Sequence, residues 1–95
     1  GSGSGGVGYG LKGRGVVGNS TFRPDCNNEY GRVVVKIEVN QEGRVINAEP
    51  GIKGTTGNSC LFEAAEKTAR SFRFNPDSKA PIRQVGFVEL NFRPN

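Results

Sequence analysis

Hydrophobic and polar positions alternate most sharply between Gly31 and Val39. Val33, Val35, Ile37 and Val39 interleave with Arg32, Val34, Lys36 and Glu38, the period-two pattern of a strand with one buried face. Asn40-Gln41-Glu42-Gly43 predicts a short turn with Gly43 at positive φ. Arg44–Glu49 returns antiparallel with Val45, Ile46 and Ala48, until Pro50-Gly51 stops it. Ile52–Gly57 reads as a connector. The period then changes: Leu61, Ala64, Ala65, Thr68, Ala69 and Phe72 fall at i, i+3, i+4, i+7, i+8 and i+11, one stripe of an amphipathic helix. Asn58 or Ser59 is its predicted cap, and Asn75-Pro76 its predicted stop. Glu63–Lys67 and Glu66–Arg70 are i,i+4 pairs in the favourable order on the opposite side. After a loop over 77–83, Gly86, Val88, Leu90 and Phe92 share one strand face, and Val85, Phe87, Glu89 and Asn91 the other.

These elements predict an α+β fold: an antiparallel three-stranded sheet with one main helix packed on one face, in the order ββαβ. Leu61, Ala65, Ala69 and Phe72 are expected to pack against Val33, Val35, Ile37 and Leu90. The predicted domain covers residues 19–95. Residues 1–18 hold nine of the fifteen glycines, which is flexible-linker composition; the alternative, from Leu11 to Val17, is an extended arm lying against the domain. Asn19–Tyr30 is turn-rich, with Pro24, Asp25, Asn27 and Asn28.

The 95 residues suffice for one small domain, whose core is marginal by itself. Two cysteines, Cys26 and Cys60, stand 34 positions apart, which is no metal-site spacing. They read as a structural disulfide in an oxidising compartment, which a small core gains from most; the other reading is two buried thiols in a cytosolic protein. No apolar run approaches the length of a membrane span and no signal peptide is recognised. The chain starts at Gly1 rather than Met and reads as a fragment, so any membrane anchor or export signal would lie upstream.

Candidate chemistry changes the picture little. The chain has no histidine, the commonest general base and metal ligand. Glu63 and Glu66 each have a basic partner one turn on, as on a solvated helix face. Ser59-Cys60 has no histidine to activate a thiolate. Gly1-Ser2-Gly3-Ser4-Gly5-Gly6 matches a dinucleotide fingerprint formally, without the strand before it or the helix after it that the motif requires. The net charge of +4 comes from scattered residues; Arg70, Arg73, Lys79 and Arg83 are the densest group and lie around a helix end, where cations normally sit. Nucleic-acid binding is therefore not expected. Of the phenylalanines, Phe72 and Phe92 fit the core, and Phe87 reads as an exposed aromatic on the sheet. No catalysis, metal or cofactor is expected.

What remains is a surface. Gln84, Val85, Gly86, Phe87, Val88, Glu89, Leu90, Asn91 and Phe92 form a long last strand with almost nothing after it. At a sheet edge, its unpaired N–H and C=O groups could accept an extended peptide as an added strand. Cover by the N-terminal arm, or by the same strand of a second copy, is the alternative.

The run Tyr30-Gly31-Arg32-Val33-Val34-Val35-Lys36-Ile37-Glu38-Val39, followed by Glu42-Gly43-Arg44-Val45, resembles the opening hairpin of the TonB C-terminal domain. Cys60-Leu61-Phe62-Glu63-Ala64-Ala65 and Ala69-Arg70-Ser71-Phe72-Arg73-Phe74-Asn75-Pro76 are similar to that family's helix and its stop. Gly86-Phe87-Val88-Glu89-Leu90-Asn91-Phe92 is similar to its closing strand. Gly51-Ile52-Lys53-Gly54-Thr55-Thr56 and Leu11-Lys12-Gly13-Arg14 resemble one bacterial branch of these energy transducers. There are departures: where a tyrosine-proline pair often precedes the first strand, this chain has Phe22-Arg23-Pro24, and a short extra C-terminal strand has no counterpart. The resemblance implies a periplasmic domain on a linker from an inner-membrane anchor outside this chain, taking energy from the proton gradient through ExbB–ExbD. It implies capture of the TonB box of outer-membrane receptors for siderophores, vitamin B12 or glycans, by strand addition along Gln84–Phe92. A homodimer is a further expectation for a small domain with an open edge. The alternative is a periplasmic interaction domain of the same fold in a sensor or envelope scaffold.

Overall fold

The computed structural model describes residues 7–26 and 30–93. The opening glycine-serine run, Asn27, Asn28 and the last two positions, about which the sequence raised expectations, lie outside the described residues.

The chain is α+β with antiparallel sheets and one short helix. Among the described residues six strands are formed: β1 (Val7–Gly10), β2 (Val16–Gly18), β3 (Gly31–Val39), β4 (Val45–Pro50), β5 (Arg73–Phe74) and β6 (Gln84–Phe92). Helix α1 covers Phe62–Arg70, entered through a 3₁₀ turn at Ser59–Leu61. Instead of the expected three-stranded sheet, the strands form a four-stranded sheet in the order β1-β6-β3-β4 and a separate pair, β2-β5. The extra strands come from segments too short or too glycine-rich to announce themselves by periodicity, so backbone pairing makes them and side-chain pattern does not.

Strand β3 is the centre. It pairs along its whole length with β6, from Gly31 opposite Phe92 to Val39 opposite Gln84. Its other side is shared. Val35–Val39 pairs with β4, while Arg32 and Val34 bond the connector: their carbonyls accept from Gly51, Ile52, Thr56 and Gly57 N–H, and their own N–H groups donate to Thr56 and Thr55 hydroxyls. The Thr-Gly connector thus continues the sheet where β4 has ended. The turn at Asn40–Gly43 has Gly43 at φ 92°, as predicted; a Cβ there would stand 2.0 Å from the Phe74 carbonyl oxygen, so both conformation and space require glycine.

The helix packs across β4 and β3. Leu61, Ala65, Ala69 and Phe72 join Val33, Val35, Ile37 and Leu90 in one buried cluster, the packing the stripe predicts. Alanines at the contact allow a close approach. The Asn58 carboxamide accepts from Cys60 N–H at 2.9 Å, capping the 3₁₀ turn. Both predicted ion pairs form on the solvent side, Lys67–Glu63 at 3.7 Å and Arg70–Glu66 at 2.9 Å. The helix stops at Arg70, well short of Asn75-Pro76. Arg73–Phe74 is needed in extended form, because Val16 and Gly18 pair with Phe74 and Arg73 and Phe74 N–H donates to the Gly43 carbonyl. Phe72 therefore completes the apolar stripe from beyond the helix.

Segment 19–26 runs back along α1 as a strap. Ser20 bonds Ser71, Phe22 N–H donates to the Thr68 hydroxyl, and a disulfide joins Cys26 to Cys60. In the chain-entropy model that link contributes roughly 3–4 kcal/mol.

Candidate partner-binding strand and its cover

Along β6 the two faces are unlike. Val88 and Leu90 point into the core and are buried. Phe92 and Gly86 are half-buried on the same face, and Val85 and Phe87 stand exposed on the outer one. Glu89 lies between Val34 on β3 and Gly8 on β1; Asn91 is opposite Arg32.

The strand is not the edge the sequence suggested. On the side away from β3, Val7, Gly8, Tyr9 and Gly10 pair with Leu90, Glu89, Val88 and Phe87. Among the described residues the edges of the main sheet are β1 and β4. Residues 7–18, whose composition is that of a flexible linker, are instead an arm lying against the domain. The arm is fitted at each step. The Phe87 ring lies over Gly10, where a Cβ would stand 2.2 Å from Phe87 Cε1. A Cβ on Gly86 would stand 2.4 Å from the Gly10 carbonyl oxygen and 2.7 Å from Leu11 Cδ1. Glycine on both strands is what lets the backbones close. The Tyr9 ring meets Phe74 edge-on at 5.7 Å, and Leu11 is buried in the core cluster.

Arg14 holds the arm down. Its side chain is buried, at 5% exposure, and bonds several stretches of chain at once. Nε and Nη2 donate to the Asn75 carbonyl at 2.9 and 2.6 Å, and Nη1 to the Asn40 carbonyl at 3.0 Å. Nη1 also reaches Gln84 Oε1 at 3.3 Å, and Nη2 the Gln41 carbonyl at 3.4 Å. None of these acceptors is a carboxylate, so converging carbonyl dipoles rather than a counter-ion solvate the guanidinium. Gln84, the first residue of β6, returns a bond from Nε2 to the Lys12 carbonyl at 2.8 Å. Asn75 N–H donates to the Gly15 carbonyl at 2.9 Å. One arginine thereby joins the arm to the β3–β4 turn, the chain after β5 and the start of β6. Composition and hydrophobic period offer no reason to select Arg14. A planar five-donor group in a segment without acidic residues is the signal available.

Cys26 and Cys60 are joined, with Cα atoms 6.1 Å apart. The bond suits an oxidising extracellular or periplasmic setting. Among the described residues no group of three or more His, Cys, Asp or Glu is placed to hold a metal, and no helix is long and apolar enough to cross a membrane. An open depression of about 430 Å³ lies between strap and helix, lined by Phe22, Arg23, Asp25, Cys60, Glu63, Ala64 and Lys67. Four of these residues, Arg23, Asp25, Glu63 and Lys67, are charged, two of each sign.

No family model, characterised protein or solved structure matches the chain.

Proposed function

We propose that this chain is the receptor-binding domain of a periplasmic energy transducer of the TonB type. In this reading it is an interaction module and not an enzyme. It takes the TonB box of an outer-membrane receptor as an added strand beside β6. Through a segment outside this chain it is tied to the inner membrane and to ExbB–ExbD, whose proton-driven motion it passes on for nutrient uptake. The observation that carries the reading is an asymmetry: β6 is paired along all nine residues with β3, while among the described residues its other side is covered at Phe87–Leu90 by a four-residue arm of which two are glycine. Main-chain bonds to an extended peptide would occupy that side without disturbing the core. Loaded together, they transmit force across a modest contact.

A titration of the domain with a receptor TonB-box peptide, followed by amide NMR, tests this. Shifts in Gln84–Phe92 together with Val7–Gly10 are expected. Shifts confined to Val45–Pro50 would move capture to the opposite edge, and none at millimolar peptide would sink the transducer reading. In that event the second reading, a scaffold or sensor domain, is favoured by the arm itself, since covering β6 removes a site for unwanted pairing.

A further inference from the structure

Val7–Gly10 sits where an added strand would sit, and the arm that carries it has two parts of unequal hold. The first part is backbone pairing in which two of four residues bring no side chain: Gly8 offers none to Glu89, and Gly10 lies under the Phe87 ring. Tyr9 touches Phe74 yet stays 43% exposed. The second part begins one residue later. Leu11 is in the core and Arg14 is buried with bonds to three separate stretches of chain. The change from weak to strong falls between Gly10 and Leu11.

We propose that Val7–Gly10 is an internal stand-in for the partner strand, displaceable as a unit, and that Leu11–Arg14 is the anchor at which its release stops. This rests on the strand-addition reading of β6 and adds how that site is regulated. Exchanging one strand for another leaves the main-chain hydrogen-bond count nearly unchanged, so a partner needs only its side-chain contacts to win. Direction matters too. Among the described residues, Val7 opposite Leu90 is the pair of the ladder farthest from the anchor. Tension arriving from the N-terminal side of the arm acts first on the pairs farthest from Leu11, opening bonds one at a time. At Arg14 it meets a group whose bonds to the β3–β4 turn, the chain after β5 and β6 are loaded together. Pulling therefore uncovers β6 without unravelling the domain.

Residue-resolved amide hydrogen exchange on the full chain tests the arm without any partner. Between Phe87 and Leu90, amides facing β1 should exchange on the order of a hundredfold faster than the interleaved amides facing β3. The Asn75 amide, bonded to Gly15 behind the anchor, should exchange with the slow set. Equal exchange of all three sets would overturn the proposal. A lock supplies the second arm of the test: a Cβ on Gly8 would stand 3.9 Å from Glu89 Cβ, near the usual disulfide separation of about 3.8 Å. The oxidised double variant Gly8→Cys, Glu89→Cys should abolish the exchange difference. It should also bind a TonB-box peptide at least about tenfold more weakly than either single variant, one tenfold step being about 1.4 kcal/mol. Equal affinity for locked and unlocked forms would overturn gating by the arm. If the unlocked chain captures no peptide, the transducer reading fails, and the exchange pattern still decides whether the arm is displaceable.

Discussion

Arg14 carries more structure than any other polar residue described. Burying a guanidinium is costly unless its donors are satisfied, and here nearly every acceptor is fixed by backbone. Arg14→Ala would take from the Asn75 carbonyl both guanidinium bonds, while the Asn40 and Gln41 carbonyls keep the Gly43 and Asp77 N–H groups; the expected cost is about 1–3 kcal/mol in urea unfolding, that of one buried group left unpaired. Arg14→Lys should recover only part of that, because a single ammonium cannot span acceptors on three segments; full recovery would mean that charge alone matters. Phe72 marks the apolar counterpart. It is 1% exposed, and Phe72→Ala should cost about 3–5 kcal/mol, measured in the same way. A negligible loss would sink the packing of the stripe against β3.

At the scale of elements, what distinguishes this fold is how much of the order is imposed by pairing between unlike segments. The arm needs Gly86 opposite it. Gly86→Ala places a methyl against the Gly10 carbonyl and Leu11, while the β6–β3 ladder runs through backbone on the other side. The expected outcome is loss of the Tyr9–Phe74 contact and faster amide exchange confined to residues 7–11 and the arm-facing side of β6. Loss spread evenly over β3 would refute that separation. The strap depends on the disulfide in the same local way. Replacing Cys26 and Cys60 with serine should lower stability by roughly 3–4 kcal/mol, with exchange rising first at Phe22, whose N–H is bonded to Thr68 on the helix.

For the whole molecule, the arm decides whether β6 faces water, the domain's own chain or another copy. An open edge nine residues long invites pairing. The full chain is expected to sediment as a monomer. A variant beginning at Leu11 keeps the Arg14 anchor but bares β6, and should self-associate with rising concentration. A monomer at every concentration would show that the exposed strand resists pairing by itself. Net charge of +4 without a basic stripe leaves peptide capture only weakly salt-dependent; a steep salt dependence would point instead to a polyanion.

The elements with a regular hydrophobic period are legible in the amino-acid sequence. Alternation in Val33–Val39, the stripe from Leu61 to Phe72, the Gly43 turn and the face shared by Val88 and Leu90 are local properties, because a strand or helix that buries one face must repeat at 2 or 3.6 residues. The helix end is not. Asn75-Pro76 forbids helix beyond it, but Arg73–Phe74 is drawn out earlier by partners far back in the chain. Val16 pairs with Phe74 and Gly18 with Arg73, a contact that no window along the chain contains. The candidate strand is legible as a strand, since its residues alternate. Its place inside the sheet is not, because Val7–Gly10 pairs through backbone and shows glycine where a pattern would show side chains. Arg14 is hidden for the same reason: a buried cation is declared by the carbonyls that converge on it, and backbone carbonyls have no letter in a sequence. The sequence alone thus determined which segments had a face to bury, through a periodicity each carries within itself. Only the tertiary structure decided which edges were left for a partner, because strand neighbours are chosen by main-chain hydrogen bonds common to every residue.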